Sequence, residues 1–61
     1  MKTVTMPVID VKAGDYVKRG VAFEEVKAVQ FSNRNIILFF HRTTMVKSCY
    51  ETVTVIMEGV A

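Results

Sequence analysis

The sequence predicts an all-β domain, a small barrel or sandwich, and three observations predict it. Residues 35–41, Asn35-Ile36-Ile37-Leu38-Phe39-Phe40-His41, hold five consecutive large apolar residues of mostly β-branched and aromatic type. Such a run reads as a strand buried on both faces. Turn signals recur at 12–15, 18–20 and 32–35, with a polar stretch at 41–48, the spacing of short strands. Residues 50–57 alternate, with Glu51, Val53, Val55 and Met57 on one face and Tyr50, Thr52, Thr54 and Ile56 on the other. The valine face is expected to point inward.

Taken in order, residues 3–11 alternate in part, with Val4, Met6 and Val8 sharing one face. Pro7 has no N–H to give to a neighbour, so this strand belongs at a sheet edge or starts near Pro7. Lys12-Ala13-Gly14-Asp15 is a turn, because Gly14 accepts positive φ and Asp15 can bond to nearby backbone. Tyr16-Val17-Lys18 is a short extended piece, and Lys18-Arg19-Gly20 a second turn. Residues 21–31 admit two readings. As a strand they lead into the loop Ser32-Asn33-Arg34-Asn35; as a helix, which gives an α+β alternative, they place Ala22, Val26 and Val29 at i, i+4 and i+7. The missing N-cap before residue 21 and the spacing of the turns favour the strand. Residues 41–48 read as a polar connection with a short strand inside it.

Sixty-one residues make one domain. A chain of this size buries only about 60% of its unfolded surface. One cysteine, Cys49, allows no internal disulfide, and one histidine, His41, with no cysteine–histidine cluster, gives no zinc pattern. No cofactor or metal is expected. A 51% hydrophobic content, or pairing with a second copy as a homodimer, is left to supply stability. The lone thiol, the absence of an apolar leader and the absence of a membrane-length run lead to the expectation of a cytoplasmic protein that does not enter a membrane.

The series Val11-Lys12-Ala13-Gly14-Asp15-Tyr16-Val17, Gly20, Phe23-Glu24-Glu25-Val26-Lys27-Ala28-Val29, Ile36-Ile37-Leu38-Phe39-Phe40 and Glu51-Thr52-Val53-Thr54-Val55-Ile56 resembles small SH3-like barrels in short proteins of bacteria and their phages. The resemblance spans about residues 8 to 57 and implies a bent antiparallel sheet of about five strands. It implies a binding module and no single partner, since such barrels hold peptides, nucleic acids or proteins. In a phage setting, the resemblance implies a modulator of a host component, acting in the host cytoplasm.

The residues themselves argue against an enzyme. Glu24 and Glu25 are the only acidic pair, and adjacent strand residues point to opposite faces. A His41–Cys49 dyad has no third group to orient it. Docking on a protein partner is the leading expectation. Ile36, Leu38 and Phe40 face one way and Ile37 and Phe39 the other, and a barrel covers one of these sets. Phe31, Phe39 and Met45 are the candidate partner contacts, as aromatics and Met are enriched at interfaces. The alternative is a nucleic-acid binder. No acid occurs between Val26 and Tyr50. In a simple meander Lys18, Arg19, His41, Arg42 and Lys47 would share one rim, with Tyr16 and Tyr50 offering stacking faces.

Overall fold

Residues 21–31 are extended, and the chain changes sheet in the middle of them. A computed structural model describes residues 2–56. It contains seven strands: β1 (Thr3–Pro7), β2 (Tyr16–Arg19), β3 (Ala22–Glu25), β4 (Ala28–Ser32), β5 (Asn35–Phe39), β6 (Thr44–Ser48) and β7 (Thr52–Ile56). One 3₁₀ turn, Val8–Asp10, follows β1, and no α-helix occurs among the described residues. The helical reading of 21–31 is therefore not what the chain adopts. The inward position expected for Met57 and the tail 59–61 lie outside the described residues.

The strands form two antiparallel sheets, one ordered β1-β7-β2-β3 and one ordered β4-β5-β6. Seven strands replace the expected five or so for two physical reasons. Residues 21–31 are split at Val26-Lys27, whose backbone serves three partners instead of one ladder. The Val26 N–H donates to the Asp15 carbonyl, its own carbonyl accepts from Gly14, and the Lys27 N–H donates to the Phe39 carbonyl. The Val26 side chain is fully buried at this crossing, so the break is held by the core. The short strand expected inside the 41–48 connection is Thr44–Ser48, which pairs along its whole length with β5.

Each turn carries the residue its backbone demands. Gly14 has φ +100 and sits third in a turn closed by the Asp15 N–H on the Lys12 carbonyl at 3.1 Å, where positive φ favours glycine. The Asp15 carboxylate accepts the Lys12 N–H at 3.0 Å, closing the turn a second time. The β2–β3 hairpin has a two-residue loop, Gly20-Val21, because Arg19 pairs with Ala22. The β4–β5 hairpin has Asn33-Arg34, because Ser32 pairs with Asn35. Both loops put positive φ at their first position, Gly20 at +65 and Asn33 at +55. This matches the right-handed strand twist better than an ordinary turn does.

The core lies between the sheets and at their junctions. Val17, Val53 and Val55 come from the four-stranded sheet, Ile36 and Leu38 from β5, and Phe40 from just beyond it. Val8, Val11 and Val26 come from the connecting segments. The valines of β7 point inward as the sequence places them, and of the two sets in the central run the fold covers Ile36, Leu38 and Phe40. Pro7 lies on an edge strand, since β1 pairs only with β7.

Candidate interaction surface

Cross-strand register divides the β4-β5-β6 sheet into an inner and an outer face. Directly opposed residues share a face. Val29, Leu38 and Met45 form one inner row, and Phe31, Ile36 and Lys47 the next. The outer rows are Ala28–Phe39–Thr44, Gln30–Ile37–Val46 and Ser32–Asn35–Ser48. Val46 is 59% exposed, while Ile37 and Phe39 are half-buried. Ile37, Phe39 and Val46 thus form an apolar centre on a face turned away from the core, with Ile37 and Val46 as direct cross-strand partners. Ala28, Gln30, Ser32, Asn35 and Thr44 around them are exposed.

The three expected partner contacts do not form one surface. Phe39 lies on the outer face. Met45 packs against the core beside Leu38. Phe31 lies on the inner side by register, opposite Ile36, yet remains 64% exposed on the sheet's edge strand. The residues that do accompany Phe39 are Ile37 and Val46. Ile37 was legible as its neighbour two positions back along the strand. Val46 was not, because its facing depends on the register in which β6 pairs with β5.

The expected basic rim is only partly assembled. The Arg19 guanidinium carbon stands 5.0 Å from the centroid of the Phe40 ring, and Phe40 leads directly into His41 and Arg42. The β2–β3 hairpin thus reaches the β5–β6 connection. Lys47 is not there. It lies opposite Ile36, near the start of β5, and its ammonium is 3.7 Å from Glu51. Tyr16 and Tyr50 do not meet either. Val17 lies opposite Val55, so Tyr16 sits beside the end of β7, whereas Tyr50 precedes the start of β7. Tyr50 is 80% and Tyr16 41% exposed. Lys18 pairs with Phe23 and is exposed.

Several charges are already engaged. Arg19 Nη1 donates to Glu24 Oε2 at 2.6 Å, while its Nε is buried with no partner among the described residues. Lys27 Nζ donates to Glu25 Oε1 at 2.9 Å. That hydrogen bond and the carboxylate's charge raise the Lys27 ammonium above its usual 10.5. Glu24 and Glu25 therefore bind different cations. His41 follows the end of β5, whereas the Cys49 N–H donates to the Arg34 carbonyl near its start. The two residues of the supposed dyad thus lie at opposite ends of one strand. Among the described residues no group of three His, Cys, Asp or Glu side chains could hold a metal ion. No helix in them is long and apolar enough to cross a membrane.

The acid-free window of the sequence coincides with one sheet. The strands β4, β5 and β6 and the turns joining them carry Arg34, Arg42, Lys47 and His41 but no carboxylate. The described acids Asp10, Asp15, Glu24, Glu25 and Glu51 all lie elsewhere. No family model matches the chain, and no curated protein or solved structure matches it.

Proposed function

We propose that this protein is a non-enzymatic binding module that docks on a protein partner through the outer face of the β4-β5-β6 sheet. One observation carries the reading. Ile37, Phe39 and Val46 lie together on a face that the core formed by the described residues does not use. Apolar side chains surrounded by small polar ones resemble the centre and rim of a protein interface. A mutant with Val46→Glu tests it, because Val46 is exposed and its replacement leaves the core intact. Affinity capture from a lysate of the source organism is run with wild-type and mutant protein as bait, with folding of both checked by circular dichroism. A protein retained by wild type and lost by the mutant supports the reading, and equal retention by both overturns it.

Nucleic-acid binding is the second reading, favoured by the meeting of the Arg19 side chain with the Phe40-His41-Arg42 segment. It is the weaker one. Arg19 is committed to Glu24 and Lys47 to Glu51, and the two tyrosines lie at opposite ends of β7. Single-strand binding draws on aromatic platforms beside a continuous cationic track. Anisotropy titrations against labelled single-stranded DNA, duplex DNA and RNA decide between the readings. Binding that persists at physiological salt and falls in Arg42→Ala favours nucleic acid.

A further inference from the structure

The face proposed for docking has a charge pattern of its own. Its apolar centre lies along β5, and a cation stands beyond each end of that strand. Arg34 is in the β4–β5 loop and Arg42 in the β5–β6 connection, and neither has an ion-pair partner among the described residues. No carboxylate lies between them in sequence or on the neighbouring strands β4 and β6. Arg34 and Phe40 bracket the five-residue β5, and six rises of about 3.3 Å each put them roughly 20 Å apart.

We propose that this face takes an extended protein segment with an apolar middle and acidic ends. The segment's apolar side chains sit on Ile37, Phe39 and Val46, and its carboxylates, about five or six residues apart along an extended chain, face Arg34 and Arg42. This rests on the docking reading above and specifies the partner's chemistry. Charge complementarity carries the assignment. A second copy of this chain is a poor occupant, because two such faces stacked together bring cations against cations. The carboxylates elsewhere on a second copy are largely engaged: Glu24 by Arg19, Glu25 by Lys27, and Glu51 by Lys47 and the Ser48 N–H. A nucleic acid is also a poor occupant. Phe39 is the one aromatic side chain on the outer face, and an aliphatic centre gives bases little to stack on.

The experiment is selection of random 12-residue peptides displayed on phage against the immobilised full chain. The winning peptide is then titrated at low and physiological salt against wild type, Val46→Glu and the double variant Arg34→Gln/Arg42→Gln. A dT12 oligonucleotide and light scattering of the protein alone run alongside. Both cationic positions lie in turns, so the double variant keeps the fold; the salt series on wild type reads the same charge dependence without any mutation. The expected result is a set of winners with Asp or Glu flanking an apolar middle, with binding weakened about tenfold or more in each variant and reduced by salt. Neutral or basic winners that depend on Val46 but not on the arginines overturn the partner chemistry and leave the docking reading standing. A dimer of wild type that Val46→Glu dissociates does the same, with a second copy as the occupant. Winners insensitive to Val46→Glu, a failure to select any peptide, or tight binding of dT12 in their place overturn both.

Discussion

Arg19 covers Phe40. Its guanidinium carbon lies 5.0 Å from the ring centroid, and Phe40 is only 6% exposed although it closes one end of the core. The contact combines a cation–π attraction with a long apolar stem laid over an aromatic face. Glu24 holds the guanidinium in place at 2.6 Å. Replacement of Arg19 by Ala should lower the free energy of unfolding by roughly 1 kcal/mol, the combined scale of a part-exposed cation–π contact and an exposed ion pair. Arg19→Met should cost less than Arg19→Ala, because a thioether stem still covers the ring and the buried, unpartnered Nε disappears. Urea denaturation of the three proteins, read at equal m-value, checks the order.

The two hairpin loops separate backbone cost from steric cost. A Cβ at Gly20 would meet nothing within 4 Å, so any penalty comes from its positive φ alone. Gly20→Val should destabilise by roughly 1–2 kcal/mol, the cost of the left-handed region for an ordinary residue. Asn33→Gly, where asparagine already tolerates that region, should change stability by under about 0.5 kcal/mol. Thermal melts of both variants report the contrast.

Leu38 and Val46 lie on adjacent strands and opposite faces, and should respond oppositely to truncation. Leu38 is fully buried. Leu38→Ala should cost about 2–5 kcal/mol, against a total of roughly 3–9 kcal/mol for a domain of this length. Most of the native state's margin is then lost, and near-ultraviolet circular dichroism should weaken at room temperature. Val46→Thr keeps a β-branched residue on an exposed position and should stay within about 0.5 kcal/mol of wild type.

The Lys27–Glu25 pair gives a signed pH dependence. The folded state raises the Lys27 ammonium above 10.5 through its hydrogen bond to Glu25 and the charge of that carboxylate. The stabilisation is therefore fully present below the unfolded lysine value and is lost as pH rises through the folded one. Lys27→Met should melt below wild type at neutral pH, and the gap should close above pH 10.5. A gap that stays constant across that range would show that the pair contributes nothing to the difference.

The parts of the fold that were readable from sequence share one property: their patterns repeat. The inward valines of β7, the alternation of Ile36, Leu38 and Phe40 against Ile37 and Phe39, and Gly14 and Gly20 at two of the turns all follow from period and turn chemistry. Residues 44–48 were less readable. Thr44, Val46 and Ser48 face out while Met45 and Lys47 face in, so neither face is uniformly apolar and the strand exists because β5 offers it an edge. That pairing also turns Val46 outward, so Val46 joins Phe39 on one face while Met45 and Phe31 lie on the other. The split at Val26-Lys27 was hidden for a related reason. It depends on Asp15 and Phe39, residues remote in sequence that supply the hydrogen bonds.

The division of charge between the sheets has a kinetic meaning. The β4-β5-β6 sheet and its turns hold three full cations, Arg34, Arg42 and Lys47, and no acid. The rest of the described chain is balanced, with Lys2, Lys12, Lys18, Arg19 and Lys27 against Asp10, Asp15, Glu24, Glu25 and Glu51. With Lys47 paired to Glu51, the cations without an ion-pair partner on this sheet's turns are Arg34 and Arg42, beyond the two ends of β5. On the proposed docking reading, an acidic partner approaching by diffusion would be steered toward that face before contact, while its residence time would be set by the apolar contacts underneath. Ionic strength should then slow the arrival of a partner far more than it hastens its departure.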